Sequence, residues 1–264
     1  MAVTAALVEV RAAAFRYGRQ TVFEHIDLDV FRGEVLTVLG PNGCGKSTLL
    51  RCIGGALKLA AGSVRIGGVD LSALDAAERA RRVGYLFQRH SPTFPFTVLD
   101  VVMMGRTPHL SGLSGPSVED TTIAEEALDQ VGMRPLGHKA YTELSGGELQ
   151  LVLLARTLAQ RADVILLDEP ISHLDFRNQA QSIRVIGALA ARGVTMIMAT
   201  HDPNHAFLLP GRALLMQPQG KILIGPAADV ISGSTLTATY GIDISVVSVP
   251  RRAGAGDLKF CSPW

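Results

Sequence analysis

The sequence GPNGCGKST at residues 40–48 is the feature that most constrains the fold of this chain. The apolar residues 35–39 come directly before it and predict a buried strand, and the apolar residues after it predict a helix. The segment matches the pattern G-x-x-x-x-G-K-[ST], which is filled by Gly40, Gly45, Lys46 and Ser47. Glycines let backbone N–H groups converge on phosphate oxygens, and the start of a helix adds its positive dipole end. The pattern therefore predicts a phosphate-binding loop between a strand and a helix.

Two side chains of this loop are expected to act on a bound nucleotide. Lys46 would reach the β- and γ-phosphates of ATP, and Ser47 would be a ligand of Mg²⁺. The other nucleotide-binding positions of the loop are Gly40, Pro41, Asn42, Gly43, Cys44, Gly45 and Thr48. Such a loop is found in kinases, GTPases, motors and transporter ATPases, so it does not by itself identify the reaction.

The whole chain limits the classes of protein to which it can belong. Its 264 residues suffice for one large or two small domains, and 47% of them are hydrophobic, which is typical of a globular protein. The net charge is +1 without a long basic run, so nucleic acid is not favoured as a partner. The sequence has no signal-peptide pattern and no apolar run of the ~18 residues needed to span a bilayer. The cysteines lack metal-site spacing and are expected to be free thiols in a reducing compartment.

Hydrophobic patterning predicts an α/β protein. Strands are expected at residues 7–11, 26–30, 35–39, 83–87, 164–167 and 194–200, and a helix at about residues 178–191. This alternation of strand and helix predicts parallel strands whose faces are covered. Residues 89–145 change to helical patterns that predict a helical subdomain. Two capping boxes support it, one pairing Thr97 with Asp100 and one pairing Ser117 with Asp120.

Two carboxylates follow the apolar residues 164–167. Asp168 is expected to hold Mg²⁺ through water, and Glu169 to polarise the water that attacks the γ-phosphate. An acidic strand end before the turn at Pro170 is the structural alternative. The phosphate-binding loop upstream favours the catalytic interpretation.

The segment LSGGE at residues 144–148 is the most discriminating motif. Ser145 and Glu148 form a capping box at the start of an apolar helix. A cap does not explain the adjacent Gly146 and Gly147, because glycine lowers helix stability. A helix start with bare backbone and a serine hydroxyl is suited to bind a phosphate, and both roles are compatible.

Taken together, these segments resemble the ATP-binding subunits of ABC transporters over about residues 8–249. The resemblance implies a P-loop NTPase of the ABC ATPase fold, with a mixed sheet core, an antiparallel β subdomain and a helical signature subdomain. Residues 1–264 would form one domain. Residues 1–88 and 146–249 would make the catalytic core with the β subdomain, residues 89–145 the helical subdomain, and residues 250–264 a short, loosely held tail.

Residue roles follow from the resemblance by matching position. Tyr17 would stack on adenine, Gln88 would touch Mg²⁺ and water, and His201 would contact the γ-phosphate. Glu169, His201 and Gln88 would be catalytic, and Ser47, Gln88 and Asp168 would hold the metal. The contacts to ATP bound by a second subunit would come from Ser145, Gly146, Gly147 and Asp175. Two positions depart from the family pattern, Ile171 for threonine or serine and Glu148 for the commoner glutamine.

The implied function is an ATP- and Mg²⁺-dependent ATPase that dimerises on ATP. It would lie on the cytoplasmic face of the membrane with two permease subunits and, indirectly, an extracytoplasmic substrate-binding protein. Residues 97–110, 168–179 and 200–207 are similar to importers of iron–siderophore, haem, cobalamin or molybdate. Expected docking residues for the permease are Phe94, Phe96, Met103 and Met104, with core packing as the alternative for the two methionines. Arg106 is expected on the same surface, where its charge would couple ATP hydrolysis to transport. The alternative is an ABC ATPase of a non-transport complex, in repair or cluster assembly.

Overall fold

The computed structural model describes residues 5–88, 93–110, 115–250 and 257–263. The strands are β1 (Val8–Tyr17), β2 (Gln20–Val30), β3 (Val35–Leu39), β4 (Ala61–Ile66), β5 (Val69–Asp70), β6 (Val83–Leu86), β7 (Val164–Asp168), β8 (Met196–Ala199), β9 (Arg212–Met216), β10 (Ile222–Pro226), β11 (Ile244–Pro250) and β12 (Asp257–Pro263). The α-helices are α1 (Lys46–Ile53), α2 (Ala76–Arg82), α3 (Val98–Met103), α4 (Val118–Gln130), α5 (Gly146–Ala159), α6 (Phe176–Ala191), α7 (Asn204–Leu208), α8 (Ala227–Val230) and α9 (Gly233–Tyr240). Shorter 3₁₀ turns lie at Leu71–Ala73, Met104–His109, Arg134–Leu136, Tyr141–Glu143 and Pro218–Gly220.

A six-stranded mixed sheet forms the centre of the molecule, in the order β10-β9-β3-β8-β7-β6. The strands from β9 to β6 are parallel, and β10 is antiparallel to β9. Every residue of β3, β7 and β8 is buried, as expected for strands covered on both faces. The predicted α/β class with a mixed sheet is therefore confirmed. The carboxyl ends of the parallel strands share one edge, which brings the loops after β3, β6, β7 and β8 together.

A second, antiparallel sheet has the order β2-β1-β4-β5. The predicted strands at residues 7–11 and 26–30 are the far ends of the longer hairpin β1–β2, in which Val8 pairs with Val30 and Tyr17 with Gln20. The tight turn of this hairpin places Tyr17 beside the loop that follows β3. A side chain distant in sequence thus reaches the nucleotide-binding edge.

Helices α3, α4 and α5 pack into one apolar cluster, which also includes Leu167 of β7. The three predicted capping boxes, at Thr97, Ser117 and Ser145, begin these helices and are confirmed. Helix α5 therefore belongs to the same packed unit as α3 and α4 while lying against the sheet. The described residues include no helix that is long and apolar enough to cross a bilayer.

The expectation that Arg106 lies on a docking surface is wrong. Its side chain is buried, and it donates to Asp120 over 2.9 Å and to the carbonyl of Ala159 over 2.8 Å. Hydrogen bonds from Ser117 and, to a smaller extent, from Arg106 lower the pKa of Asp120 to about 2. Asp120 is therefore ionised at neutral pH. Met103 is half-buried against the core, whereas the exposed side chains of the predicted set are Phe94, Phe96 and Met104.

Charge reversal at Arg106 should therefore destabilise the fold before it affects any coupling. Arg106→Glu places a carboxylate against Asp120 and leaves a buried charge unpaired, which is strongly destabilising. We expect a fall in Tm on the order of 10 °C in a thermal melt. Arg134→Glu is the matched control, because the Arg134 side chain is 58% exposed and pairs with Glu125 at the surface. Equal melting of the two variants would contradict a structural role for Arg106.

The C-terminal segment is not loosely held over residues 257–263. These residues form β12, which pairs with β11 from Ile244 opposite Pro263 to Pro250 opposite Asp257. Ile244, Val246 and Cys261 pack against a small apolar cluster around Leu39 and Leu236. Glycine and proline in this part of the sequence obscured both strands. Each strand forms because its backbone hydrogen bonds are made with the other, a partner close in sequence.

Candidate functional site

The phosphate-binding loop has the backbone that its glycines permit. Gly45 precedes α1 with φ 108°, and a Cβ built on it would lie 2.6 Å from Cγ1 of Val22. Gly40 has φ 149°, and a Cβ there would lie 2.7 Å from Sγ of Cys44. Both the left-handed conformation and the close approach require glycine. The loop therefore lies tightly between the end of β3 and the start of α1.

Lys46, the first residue of α1, is held inside the loop. Its side chain is only 5% exposed, and its ammonium donates to the carbonyl of Gly40 over 2.8 Å and to that of Pro41 over 3.1 Å. It also lies 3.9 Å from Oε1 of Glu169. The loop backbone thus aims a fixed positive charge toward the acidic end of β7.

Asp168 is fixed by two hydroxyl groups. Ser47 donates to its Oδ1 over 2.7 Å, and Tyr85 donates to its Oδ2 over 3.1 Å. Burial, followed by the charge of Asp168, raises the pKa of Tyr85, so the phenol remains a donor. Ser47 and Asp168 were predicted to act together, but Tyr85 was not. Its position in an apolar strand gave no sign of a polar partner.

Glu169 follows β7 with φ 50°, an uncommon value for a residue other than glycine. Its N–H donates to the carbonyl of Ala199 over 3.1 Å, which holds this conformation. Its Oε2 accepts from Nε2 of Gln88 over 3.2 Å and lies 3.3 Å from Nδ1 of His201. The carboxylate is 12% exposed and the His201 side chain 52% exposed. The three side chains predicted to be catalytic therefore meet at one point.

A cleft of about 680 Å³ lies over this point. Of the predicted site residues, those that line it are Tyr17, Asn42, Gly43, Gly45, Lys46, Ser47, Thr48, Gln88, Glu169 and His201. Tyr17 is 51% exposed, with its ring edge-on to Phe15 at 4.8 Å between centroids. Four further residues line the cleft. Gln20 and Val22 were not predicted, whereas Ser172 and His173 belong to the segment 172–175 that resembles the loop crossing the dimer interface in the family. The cleft combines an exposed aromatic ring at one position with a lysine and a phosphate-binding loop, which is the arrangement that a nucleotide requires.

Several predicted residues do not line this cleft within the described parts of the chain. Gly40, Pro41 and Cys44 belong to the loop without lining the cleft, and Asp168 adjoins it through its hydrogen bond with Ser47. Ser145, Gly146, Gly147 and Asp175 lie elsewhere. Asp175 caps α6 and accepts from the N–H of Asn178 over 2.8 Å, and the Asn178 amide packs so closely on Gly147 that a Cβ there would collide with it. Asn178 thus joins the start of α5 to the start of α6.

The loop containing His201 is braced by residues that sequence reasoning missed. The hydroxyl of Thr200 lies 2.8 Å from Nδ1 of His205, and burial lowers the pKa of that histidine. Asn204 accepts from the N–H of Cys261 in β12 over 2.7 Å, and Tyr240 donates to the carbonyl of His201 over 3.4 Å. The hairpin formed by β11 and β12 is therefore hydrogen-bonded, through Cys261 and Asn204, to the segment that carries His201.

Cys44 points behind the loop rather than into the cleft. Its sulfur packs near Gly40, and burial raises its pKa. Burial also raises the pKa of Cys52 to about 12 and that of Cys261 to about 11. The thiolate is the reactive form, so each of these thiols is less reactive at neutral pH than a cysteine whose pKa is not raised by burial.

N-ethylmaleimide should label Cys44 slowly at pH 7 and faster as the pH rises beyond the usual cysteine range. A raised pKa lowers the thiolate fraction at a given pH, and the adduct would displace the loop against Gly40 and abolish ATPase activity. Prior ATP should slow the labelling, because phosphates bound by the loop hold it closed over the thiol behind it, and mass spectrometry can follow the modification. Cys44→Ser should resist inactivation. If the reagent inhibits this variant as strongly as the wild type, Cys44 is not the sensitive thiol.

The donor atoms at this site suit a hard cation. Ser47 and Asp168 offer oxygen atoms, and Gln88 offers an amide oxygen, which are the ligand types that Mg²⁺ prefers. Within the described residues no cluster of three His, Cys, Asp or Glu could hold a metal alone. A single carboxylate beside a phosphate-binding loop is nevertheless typical of Mg²⁺ that is bound jointly with phosphate oxygens. The residues present therefore fit this ion.

Comparison with known proteins agrees with this geometry. A family model described as ABC transporter matches residues 23–172. The hemin import ATP-binding protein HmuV of Pseudomonas entomophila is 38% identical over 251 residues, which cover 93% of this chain and 97% of that relative. The molybdate import ATP-binding protein MolC of Haemophilus influenzae is 33% identical over 220 residues, or 83% of this chain and 81% of that relative. A solved metal-chelate type ABC transporter in an inward-facing conformation matches 98% of both chains with a TM-score of 0.87 and 29% identity. The chain therefore belongs to the ABC transporter family, as an ATP-binding subunit that hydrolyses ATP.

Proposed function

We propose that this chain powers the import of a metal chelate or an oxyanion across a membrane. The observation that carries the proposal is the match over 98% of both chains to a metal-chelate type ABC transporter. Relatives named for hemin and molybdate import support the same class of cargo. Within that class we favour an iron–siderophore or related chelate over molybdate, because the hemin-import relative of Pseudomonas entomophila is 38% identical over 93% of this chain, against 33% over 83% for the molybdate-import relative.

The proposed catalytic step uses the side chains that meet in the cleft. Tyr17 stacks on adenine, and the loop backbone with Lys46 binds the β- and γ-phosphates. Glu169 accepts the proton of the attacking water, while Gln88 and His201, both in contact with that carboxylate, orient the water and the γ-phosphate.

Ser47 and Asp168 would hold Mg²⁺, with Gln88 close by. Mg²⁺, when bound, neutralises the charge that develops on the phosphate oxygens. The 2.7 Å hydrogen bond between Ser47, which lines the cleft, and Asp168, which adjoins it, keeps the two oxygen ligands side by side.

Two copies of the chain are proposed to close on two ATP molecules. The N–H groups of Gly146 and Gly147 lie in the first turn of α5, where the helix offers them no carbonyl partner, and Ser145 caps that turn. Among the described residues these three do not line the cleft, so their phosphate site would serve the ATP of the other copy. Asp175 would lie at the same interface, because Asn178 joins it to Gly147. ATP then favours the closed dimer, and hydrolysis releases it, as differential binding requires.

The permease is proposed to dock beside Gln88. Phe94, Phe96 and Met104 expose apolar surface in this part of the chain, at 62%, 44% and 43% respectively. The Phe94 and Phe96 rings are neighbours, with 6.1 Å between their centroids, and contiguous exposed apolar surface marks a protein interface. Two permease subunits and an extracytoplasmic binding protein would complete the importer, with this chain peripheral on the cytoplasmic face.

Reconstitution tests the proposal directly. The chain would be purified with its copurifying permease, combined with the binding protein, and placed in proteoliposomes with ATP on its own side. The probes are a radiolabelled ferric hydroxamate siderophore, haem, cyanocobalamin and molybdate. Accumulation of one probe on the ATP side, absent with Glu169→Gln, supports import. Export of the probe contradicts import, and a pulldown that contains no membrane protein favours a non-transport complex in repair or cluster assembly.

A further inference from the structure

Strand β6 and the residues directly after it supply one hydrogen-bond donor to each of the two carboxylates at the end of β7. The strands are parallel, with Tyr85 opposite Leu166 and Leu86 opposite Leu167. Tyr85 reaches Asp168 over 3.1 Å, and Gln88, just beyond the strand, reaches Glu169 over 3.2 Å. Gln88 has a role by resemblance to its family, whereas Tyr85 has none.

We propose that Tyr85 is a positioning residue that orients Asp168 toward Mg²⁺ in the ATP-bound site. The inference rests on the proposed role of Asp168 in holding Mg²⁺ and is independent of the cargo. It extends the site by one residue that does not itself contact metal or nucleotide.

The hydrogen bonds of Asp168 show why a second donor matters. Within the described residues this carboxylate, which is 1% exposed, accepts from the hydroxyls of Ser47 and Tyr85, one on each oxygen. Two donors on opposite oxygens define the plane of the carboxylate, whereas one donor constrains only one of its oxygens. Ser47 would itself be a metal ligand through its oxygen, so Tyr85 is the orienting donor outside the metal's own ligand set.

The phenol ring of Tyr85 is held in place. A Cβ built on Gly54 would lie 3.3 Å from Cδ2 of Tyr85, so the end of α1 packs directly on the ring. The ring of Phe87 is its second neighbour, with 4.4 Å between the centroids of the Tyr85 and Phe87 rings. A donor fixed by packing orients its partner without an entropic cost at the moment of binding.

A purely structural role for Tyr85 predicts a different outcome. If the phenol only satisfied a buried carboxylate, its loss would lower the stability of the protein and leave the response to Mg²⁺ unchanged. Orientation of a metal ligand, in contrast, affects metal affinity, and loss of such outer partners typically weakens it 10- to 100-fold.

The test is the Mg²⁺ dependence of nucleotide binding in Tyr85→Phe, which keeps the ring and removes only the hydroxyl. A fluorescent ATP analogue would be titrated at increasing free Mg²⁺. We expect the half-saturating Mg²⁺ concentration to rise about 10- to 100-fold. Binding of the analogue in EDTA should change by less than about twofold, since the phosphate-binding loop is intact. Electron paramagnetic resonance of Mn²⁺ with ATP would measure the metal affinity without turnover.

Tyr240→Phe is the matched control, because it removes the hydroxyl of another half-buried tyrosine that contacts the His201 carbonyl instead of Asp168. Its half-saturating Mg²⁺ concentration should match that of the wild type. In an Asp168→Asn background, Tyr85→Phe should have no added effect on Mn²⁺ affinity. A wild-type Mg²⁺ response in Tyr85→Phe overturns the inference. A wild-type protein that binds ATP without any Mg²⁺ response overturns the proposed site.

Discussion

Glu169→Gln should lower ATP turnover by about 100- to 10,000-fold while ATP binding is retained. The carboxylate lies 3.9 Å from the Lys46 ammonium and within 3.3 Å of both Gln88 and His201, so an amide of the same shape can occupy this position. The amide cannot accept the proton of the attacking water, which is the expected contribution of this residue. Turnover is measured by phosphate release at saturating Mg²⁺ and ATP.

A second consequence follows for the proposed dimer. Because Glu169→Gln binds ATP without hydrolysing it, size-exclusion chromatography should show an ATP-dependent dimer that persists longer than that of the wild type. Glu119→Gln, at an exposed position in the first turn of α4, is the control and should have nearly normal turnover. Wild-type phosphate release by Glu169→Gln would exclude Glu169 as the general base.

Lys46→Ala should weaken ATP binding roughly 10- to 150-fold, which corresponds to the 1.5–3 kcal/mol of a hydrogen bond to a charged group. The ammonium is buried in the loop and donates to two backbone carbonyls, so it is positioned before nucleotide arrives. Removing it deprives the phosphates of a fixed positive charge. The affinity is measured by calorimetry with a slowly hydrolysed ATP analogue.

Lys58→Ala provides the control for the loss of one lysine, because Lys58 is exposed after the end of α1 and does not line the cleft. Its affinity for the analogue should equal that of the wild type. A thermal melt would establish that Lys46→Ala remains folded. Unchanged affinity in folded Lys46→Ala would contradict the role of this side chain in phosphate binding.

Local motifs were predicted well where the chemistry depends on neighbouring residues. The capping boxes at Thr97, Ser117 and Ser145 formed because a side chain and a backbone N–H three residues apart satisfy each other. The phosphate-binding loop followed from glycines that allow φ values closed to other residues. Buried strands β3 and β7 followed from continuous apolar runs.

Side chains with two plausible environments were predicted poorly. Arg106 follows two methionines in a segment that resembles a docking surface, yet it is buried because Asp120 and the Ala159 carbonyl satisfy its donors. The segment after Pro250 contains too few apolar residues to predict a strand, yet residues 257–263 pair with β11. In both cases the deciding partner lies in another element.

The sequence alone therefore determined the phosphate-binding loop, the acidic end of β7 and the family, because each depends on residue types at short, fixed spacings. Only the tertiary structure decided that Tyr85 bonds Asp168, that Asn178 packs on Gly147, and that β12 is bonded to Asn204. These contacts depend on which strands lie side by side and on how helices pack on the sheet. Burial of apolar faces sets that arrangement over the whole chain, and a buried polar group then bonds whichever partner the packing brings within reach.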